Sequence, residues 1–272
     1  MSAPFLNIDG VSKVYSTRQG EIFAVDDVSL NLPEHGFISL LGPSGCGKST
    51  LLLMSAGLVS RTAGAITIAN TVVDRPYTDL GIVFQDANLL DWRRVMDNLM
   101  IQAEFRGLDR SAIRERGMEL LDMVGLAGYE NRYPYELSGG MRQRVSICRA
   151  LVHDPPLLMM DEPFGALDAL TRDQLNLDLQ DIWLDSRKTI LFVTHSITEA
   201  VFLSDTVIVM TPQPGRVGQI FDIDLPRPRE FAIRETSEFG SYTKQIRGLF
   251  EQWGVLRNRA GVTDRKSNDE VN

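Results

Sequence analysis

The stretch Gly42-Pro43-Ser44-Gly45-Cys46-Gly47-Lys48-Ser49-Thr50 is a glycine-rich loop that follows an apolar run, Phe37–Leu41. The apolar run is typical of a buried strand, and residues 51–57, which end in glycine, are typical of a helix. A strand, a glycine-rich loop ending in Lys-Ser, and a helix form the context that a phosphate-binding P-loop requires. The sequence therefore predicts an α/β fold in which this loop joins a central strand to a helix.

The P-loop pattern predicts a nucleotide site. Glycines allow successive backbone N–H groups to point inward, and the start of the helix adds positive potential. We expect Lys48 to neutralise the β- and γ-phosphates of ATP and the Ser49 hydroxyl to bind Mg²⁺. The residues expected to contact ATP are Gly42, Pro43, Ser44, Gly45, Cys46, Gly47, Lys48, Ser49 and Thr50. The alternative is a chance glycine-rich turn, although every position of the pattern is filled in the right context.

Two carboxylates follow a second apolar run. Residues 157–162, Leu-Leu-Met-Met-Asp-Glu, are typical of a buried strand that ends in two carboxylates, Asp161 and Glu162. An aspartate at the end of a strand beside a P-loop usually holds Mg²⁺, and a neighbouring glutamate suits a general base for the attacking water. We therefore expect Asp161 at the metal and Glu162 in catalysis. The alternative is an acidic surface turn before Pro163.

A third motif lies between the P-loop and the carboxylates. Residues 137–144 read Leu-Ser-Gly-Gly-Met-Arg-Gln-Arg. Ser138 is a good N-cap, and Gly139 and Gly140 leave the first N–H groups of a helix uncovered. The helix is predicted to continue to His153, before two prolines. A helix start of this kind binds anions.

With these motifs in this order, the chain resembles the ATP-binding cassette (ABC) family over about residues 6–217. Four further positions match marks of that family: Tyr15 the aromatic that stacks on adenine, Gln85 the glutamine loop, Asp168 the D-loop and His195 the switch histidine. The resemblance implies a homodimer in which the P-loop of one subunit holds ATP and the other subunit covers it. The covering residues would be Ser138, Gly139, Gly140 and Asp168.

The resemblance also implies a fold and a set of roles. The fold would be a P-loop NTPase with a RecA-like, mostly parallel sheet, an antiparallel β-subdomain and a helical signature subdomain. The cofactors would be ATP and Mg²⁺, with the metal near Ser49, Gln85 and Asp161. The expected catalytic residues are Lys48, Gln85, Glu162 and His195.

Three of these single-residue assignments have plainer alternatives. Tyr15 could be an aromatic at a strand end that packs on the core rather than a platform for a base. Gln85 could be a solvated amide in a loop. His195 could be a histidine satisfied within the core, although it follows residues 190–194, a strand of the parallel type whose carboxyl end is where ligands gather.

Composition narrows the class of protein. The 272 residues carry a net charge of -8, which argues against a nucleic-acid partner. The apolar runs fall short of the roughly 18–20 residues that span a bilayer, so a membrane role would depend on a partner. Residues 1–5 lack a basic and an apolar region, so we expect no secretion signal. The two cysteines form no metal pattern and fit a reducing cytoplasm.

The chain divides into two predicted parts. Residues 1–220 would form the ATPase domain, with a β-subdomain that includes a hairpin over 65–73 and a helical subdomain over about 88–154. In that subdomain Ile113, Leu120, Leu121 and Val124 share a face, with Gly125 as the stop. Residues 221–272 would form a short extension with one amphipathic helix, on which Phe239, Tyr242, Ile246, Leu249, Phe250 and Trp253 recur. This helix packs on its own domain or forms a partner site, and the charged tail after Asn258 is expected to be loose.

Within the ABC family the chain looks like the importers of nitrate, sulfonates, taurine or bicarbonate. The resemblance rests on Trp92 after Leu89-Leu90 and on residues 210–217, Met-Thr-Pro-Gln-Pro-Gly-Arg-Val. That group usually has Pro at Asp91 and Thr at Arg94, which lie on the surface expected to grip the transmembrane partner. Trp92 would then be an exposed interface residue, or alternatively a core residue.

The expected protein is therefore the ATPase subunit of an importer for a small anion such as a sulfonate, taurine, nitrate or bicarbonate. The resemblance places it peripherally on the cytoplasmic face of the inner membrane, with integral permease subunits and, indirectly, a periplasmic or lipoprotein solute-binding protein. One alternative is a soluble ABC ATPase acting on DNA, ribosomes or iron–sulfur assembly. Long insertions or a second cassette would favour it, and the chain has neither. Another alternative is an ordinary P-loop kinase that transfers phosphate to a metabolite, a reaction in which residues 137–144 would have no function.

Overall fold

A computed structural model describes residues 4–18 and 20–256, which form two sheets and the helices around them. The strands are β1 Leu6–Thr17, β2 Gly20–Leu32, β3 Phe37–Leu41, β4 Ala63–Ile68, β5 Thr71–Val72, β6 Gly81–Val83, β7 Leu157–Asp161, β8 Thr189–Thr194, β9 Thr206–Met210 and β10 Val217–Asp222. The helices are α1 Lys48–Ser55, α2 Val95–Arg106, α3 Arg110–Met123, α4 Gly139–Leu151, α5 Ala169–Ser186, α6 Ile197–Leu203 and α7 Ser237–Gln252.

The larger sheet has the order β10-β9-β3-β8-β7-β6 and is parallel except for β10 at its edge. Alternate residues of its strands point to opposite faces, as Ile190 and Phe192 of β8 contribute to one core while Leu191 and Val193 contribute to the other. A strand buried on both faces must be apolar throughout. This explains why uninterrupted apolar runs in the sequence predicted β3, β7 and β8.

The smaller sheet is antiparallel, with the order β2-β1-β4-β5. It packs on one side of the parallel sheet through a core that it shares with α1. The predicted hairpin is present as β4 and β5, in which Thr67 pairs with Val72. The predicted fold class, a P-loop NTPase with an added antiparallel sheet, is confirmed.

The helical region between β6 and β7 contains α2, α3 and α4. Asp109 caps α3, since its carboxylate accepts hydrogen bonds from the N–H groups of Ser111 and Ala112. The predicted apolar face of α3 is buried, and Gly125 follows in the left-handed conformation. Helix α4 ends at Leu151 rather than at the predicted His153. The chain turns there because Asp154, which precedes a proline, has a φ of 56° instead of a helical value.

The C-terminal part of the described chain joins the same core. Strand β10 pairs with β9, so the predicted division at residue 220 lies inside a strand of the main sheet. Helix α7 packs on α6, and Phe239, Ile246 and Phe250 are buried in the core that also holds the helical region. The expectation of a loose tail concerns residues that lie outside the described ones. No helix in residues 4–18 and 20–256 has both the length and the apolar character needed to cross a membrane.

The loop between β9 and β10 supports the P-loop through a close approach at Gly215. A Cβ there would overlap the carbonyl oxygen of Cys46. We therefore expect Gly215→Ala to lower the free energy of unfolding by about 1–3 kcal/mol, the usual cost of overpacking. Gly248→Ala is the matched control, because Gly248 lies within α7 and faces open space. This control should raise the free energy of unfolding by roughly 0.5–1 kcal/mol. Urea denaturation followed by circular dichroism measures both, and similar values for the two variants would contradict the close approach.

Candidate active site

The P-loop connects β3 to α1 and wraps around the side chain of Lys48. Gly47 caps α1 with a φ of 96°, and a Cβ there would overlap the carbonyl oxygen of Ala24, so only glycine fits. The Lys48 ammonium donates to the carbonyl oxygens of Gly42 at 2.9 Å and Pro43 at 3.0 Å. Only 4% of the lysine side chain is exposed. The charge is therefore held at a fixed point above the loop.

The two predicted carboxylates lie beside this lysine. Strand β7 ends at Asp161, whose Oδ1 accepts a hydrogen bond from the Ser49 hydroxyl at 2.7 Å. Burial raises the pKa of Asp161, and the Ser49 hydrogen bond opposes the shift. Glu162 follows with a φ of 46°, a left-handed conformation that is strained for a glutamate. Its N–H donates to the carbonyl oxygen of Val193, so β8 holds it in this position.

Glu162 lies between two basic side chains. Its Oε1 is 3.7 Å from Lys48 Nζ, and its Oε2 is 3.0 Å from His195 Nδ1. Strand β8 ends at Thr194, so His195 extends from the carboxyl end of the sheet, and 54% of its side chain is exposed. The alternative that His195 is a core histidine is therefore wrong.

A cavity of about 250 Å³ joins these groups. Its lining consists of Ala24, Ser44, Gly45, Gly47, Lys48, Ser49, Thr50, Gln85, Asp161 and Glu162. Gln85 follows β6, and its Nε2 would lie 3.3 Å from a Cβ at Gly165, on the loop that follows Glu162. The cavity thus presents one ammonium, two carboxylates, hydroxyls, an amide and the start of a helix, which is a set of groups suited to a phosphate chain with a cation.

Tyr15 lies apart from this lining. It is on β1, opposite Ile22 of β2, and 38% of its surface is exposed. The Lys13 ammonium lies 4.8 Å from the centre of its ring. Tyr15 is therefore not the core residue of the plainer alternative, and its ring is open to solvent beside the strand that carries Ala24.

The remaining predicted residues form a second group at the starts of two neighbouring helices. Ser138 caps α4 as predicted, with its Oγ accepting from the N–H of Met141 at 3.3 Å. Asp168 caps α5, and hydrogen bonds from the Thr171 N–H and hydroxyl lower the pKa of its carboxyl. A Cβ at Gly140 would overlap the Thr171 side chain, so a glycine is needed to bring the two helix starts together.

This second group is exposed and does not meet the first one. Ser138, Gly139 and Asp168 lie at the surface, and in the part of the chain that the structure describes no residue of 137–144 lines the P-loop cavity. The first N–H groups of α4 lack partners within their own helix. The structure therefore places the two exposed helix starts on a surface that is separate from the cavity.

Sequence reasoning did not identify two side chains that tie α4 to the glutamine loop. Gln143 Nε2 donates to the carbonyl oxygen of Phe84 at 3.0 Å. The Arg149 guanidinium donates to the carbonyl oxygens of Asn88 at 2.7 Å and Ala87 at 2.9 Å. Arg149 is partly buried, and this burial lowers the pKa of its guanidinium. No signal in the sequence singled them out, because α4 carries other polar residues and the acceptors are backbone carbonyls, which have no residue identity.

An ion pair between the buried Glu199 and the partly exposed Arg172 lies beside His195 and was also missed. The Glu199 carboxylate accepts from the Thr194 hydroxyl at 2.6 Å and lies 3.7 Å from Arg172 of α5. Burial raises the pKa of Glu199, while the Thr194 hydrogen bond and the Arg172 charge oppose the rise. Arg172 also donates to the carbonyl oxygen of Leu167. The pair links the loop before α5 to the strand end that carries His195.

Comparison with protein families gives a match to the ABC transporter model over residues 25–165. Among characterised relatives, the taurine import ATP-binding protein TauB of Rhizobium johnstonii is 44% identical over 263 residues, which cover 94% of this chain and 100% of that protein. The aliphatic sulfonates import ATP-binding protein SsuB of Bacillus cereus is 39% identical and covers 93% of this chain and 98% of that protein. These matches run far beyond the short motifs.

Solved structures give the same result. The dimeric structure of MJ0796, a bacterial ABC transporter cassette, aligns with a TM-score of 0.72 and 31% identity, over 81% of this chain and 100% of that one. A dimeric post-hydrolysis state of the same cassette, bound to ADP and Pi, aligns with a TM-score of 0.71 and 30% identity. The fold is therefore shared with a cassette whose solved structures include a post-hydrolysis state.

Proposed function

Because the chain belongs to the ABC transporter family of ATP-hydrolysing cassettes, we propose that it is the ATPase subunit of an importer for a small anion, with a sulfonate such as taurine best supported. One observation carries this proposal. Relatives named for taurine or aliphatic sulfonate import match 92–94% of this chain at 39–45% identity. Nitrate and bicarbonate remain the other candidates from the sequence, while a non-transport ATPase has no support among these relatives.

The residues around Asp161 fit the Mg²⁺ that accompanies ATP. Mg²⁺ prefers oxygen ligands and keeps several waters, so one or two protein groups beside the phosphates are enough. The Ser49 hydroxyl and the Asp161 carboxylate are already in contact, and Gln85 lines the same cavity. A bound cation would offset the burial that raises the pKa of Asp161. In this role Mg²⁺ would neutralise charge on the β- and γ-phosphates.

We assign the roles in hydrolysis to Glu162 and to the two basic side chains beside it, Lys48 and His195. Lys48 binds the β- and γ-phosphates with an ammonium that the loop carbonyls hold in place. Glu162 orients the attacking water and accepts its proton as the water oxygen bonds to the γ-phosphorus and the bond to ADP breaks. His195, at 3.0 Å from Glu162, holds that carboxylate in place and would stabilise the γ-phosphate. Positioning and charge, rather than covalent chemistry, perform the reaction.

We infer that two copies share each nucleotide. Ser138, Gly139 and Asp168 are exposed and do not line the cavity of their own chain, although helix starts of this kind bind anions. In a two-fold dimer the helix starts of one copy would cover the cavity of the other, so that both sites become complete together. The dimeric relatives of known structure support this arrangement.

The surface after the glutamine loop is the proposed contact with membrane permease subunits. Trp92 is 74% exposed, so the alternative that it is a core residue is wrong. Arg94, which stands where the resembling importers usually have Thr, donates to the carbonyl oxygen of Asn131 and lies 5.3 Å from the ring centre of Tyr133. The start of α2 needs no threonine cap, because the N–H groups of Val95 and Met96 donate to backbone carbonyls. The chain would be peripheral, on the cytoplasmic face, and would meet a solute-binding protein only indirectly.

The first prediction concerns the general base. We expect Glu162→Gln to lower ATP turnover by at least ~10²-fold, the lower range for loss of a general base. The variant should still bind ATP and should accumulate as a dimer on size-exclusion chromatography, because hydrolysis no longer reopens it. Glu251→Gln, an exposed change on α7, is the matched control and should retain the parent rate. Turnover near the parent value in Glu162→Gln would remove Glu162 from this role.

The second prediction concerns the shared sites. Lys48→Ala and Gly139→Glu should each abolish hydrolysis in the homodimer, the first at the P-loop and the second at the helix start. An equimolar mixture with free exchange should recover about a quarter of the parent activity, since half of the dimers are mixed and each has one complete site. A mixture as inactive as its components would show that the helix starts do not act across the dimer.

The third prediction concerns transport. Purification from membranes in mild detergent should retain an integral membrane protein, and the complex in vesicles should hydrolyse ATP faster when a taurine-loaded binding protein is added. Nitrate and bicarbonate, each with its own binding protein, serve as the comparison for the solute. Retention of ribosomes or DNA at moderate salt, without a membrane partner, would favour a non-transport ATPase instead.

A further inference from the structure

Two arginines of the segment between β10 and α7 bind the end of α6. Arg229 is 1% exposed, and its guanidinium donates to the carbonyl oxygens of Val201 at 3.0 Å, Phe202 at 2.9 Å and Ser204 at 2.8 Å. Arg227 donates to the carbonyl oxygen of Leu203. The last carbonyls of a helix have no partner inside it, and a cation is stabilising there. We call Arg227 and Arg229 the arginine clamp.

The clamp is itself fixed from several sides. The side-chain amide of Gln180 on α5 bonds both the N–H of Arg229, at 2.7 Å, and its carbonyl oxygen, at 3.0 Å. Arg229 also donates to the carbonyl oxygens of Ile223 and Leu225 at 3.4 and 3.3 Å. Asp205 accepts from Arg227 at 2.8 Å and from the N–H of Phe37, the first residue of β3. The end of α6 is thus connected to α5 and to the strand that leads into the P-loop.

Both clamp side chains carry charge at neutral pH despite their surroundings. Burial, together with the neighbouring Arg227 charge, lowers the pKa of Arg229 to about 10. Burial also lowers the pKa of Arg227, while Asp205 opposes this. Two cations are held together here against their repulsion. The array of carbonyl oxygens at the end of α6 offsets that repulsion.

The other end of α6 leads to the site. His195 directly precedes Ser196, which caps the helix by accepting from the N–H of Glu199 at 3.3 Å. Glu199 in turn bonds Thr194, on the other side of His195, at 2.6 Å. Helix α6 is only seven residues long, Ile197–Leu203, so a rotation at its clamped end displaces the histidine. The imidazole must meet Glu162 within hydrogen-bond distance.

We propose that Arg229, together with Arg227, is a positioning residue for His195, which it acts on by fixing the end of α6. The clamp gives the segment after β10 a part in ATP hydrolysis although none of it touches the nucleotide cavity. This inference rests on the proposed roles of Glu162 and His195. A clamp that only stabilised the fold would leave the geometry of His195 unchanged in every folded variant.

The first measurement is steady-state hydrolysis. Arg229→Gln should lower kcat about 10-fold, the lower end of the loss seen when a residue that orients a metal ligand is removed, with KM for ATP unchanged. Arg229→Lys should give an intermediate kcat, because an ammonium keeps the charge but reaches fewer of the carbonyls. Arg247→Gln is the matched control: it removes the same charge from an exposed position on α7 and should keep the parent kcat. Ile246→Val loosens the core under α7 without removing a hydrogen bond, and it should also keep the parent kcat.

The second measurement reads His195 itself and does not depend on activity. The chain has three histidines, so the imidazole resonances can be assigned by substituting each in turn. In Arg229→Gln the His195 resonance should move, while those of His35 and His153 stay. If this variant does not fold, Arg229→Lys decides between the same outcomes.

A parent-like His195 resonance and a parent-like kcat in the folded variant would overturn the proposal. So would an equal loss of kcat in Ile246→Val at the same melting temperature, since this would reduce the effect to stability. A parent protein without ATPase activity would instead count against the proposed function, and the resonance of His195 would still test the clamp.

Discussion

The active site depends on the parallel pairing of β3, β8 and β7, which end side by side at one edge of the sheet. Leu41 is paired with Thr194, and Asp161 with Val193, so the P-loop, the carboxylates and His195 leave the sheet at the same level. No single strand creates a site of this kind. A slip of one residue in either pairing would exchange the two faces of a strand and separate Glu162 from its two basic partners.

Much of the candidate site could be predicted from the sequence, because its motifs are formed by residues that are neighbours along the chain. The P-loop, the strand-end carboxylates and the caps at Ser138 and Asp168 are each encoded within a few residues. The exposure of Trp92 and His195 was left open by the sequence, because burial depends on what the rest of the chain places above a residue. The contacts of Gln143 and Arg229 were missed for a related reason: their partners are backbone carbonyls distant in sequence, and a carbonyl has no residue identity to recognise.

The described chain presents two separate surfaces, which we propose complete one ATP site across a dimer. One surface holds the cavity with its ammonium and carboxylates, and another presents two helix starts brought together at Gly140 and Thr171. The ion pair of Glu199 and Arg172 connects a helix of the second surface to the strand end that carries His195. The arginine clamp lies at the other end of α6. The part of the described chain after β10 is therefore joined by hydrogen bonds and packing to the core that carries the site.

Glu162 has a left-handed backbone conformation, with a φ of 46°. A non-glycine residue held there costs of order 1–3 kcal/mol, which the surrounding hydrogen bonds must outweigh. Glycine or asparagine would sit at this position with less strain but could not take a proton from water. Selection of this protein for heat resistance alone should therefore enrich substitutions at residue 162, and the most stable variants would lack ATPase activity.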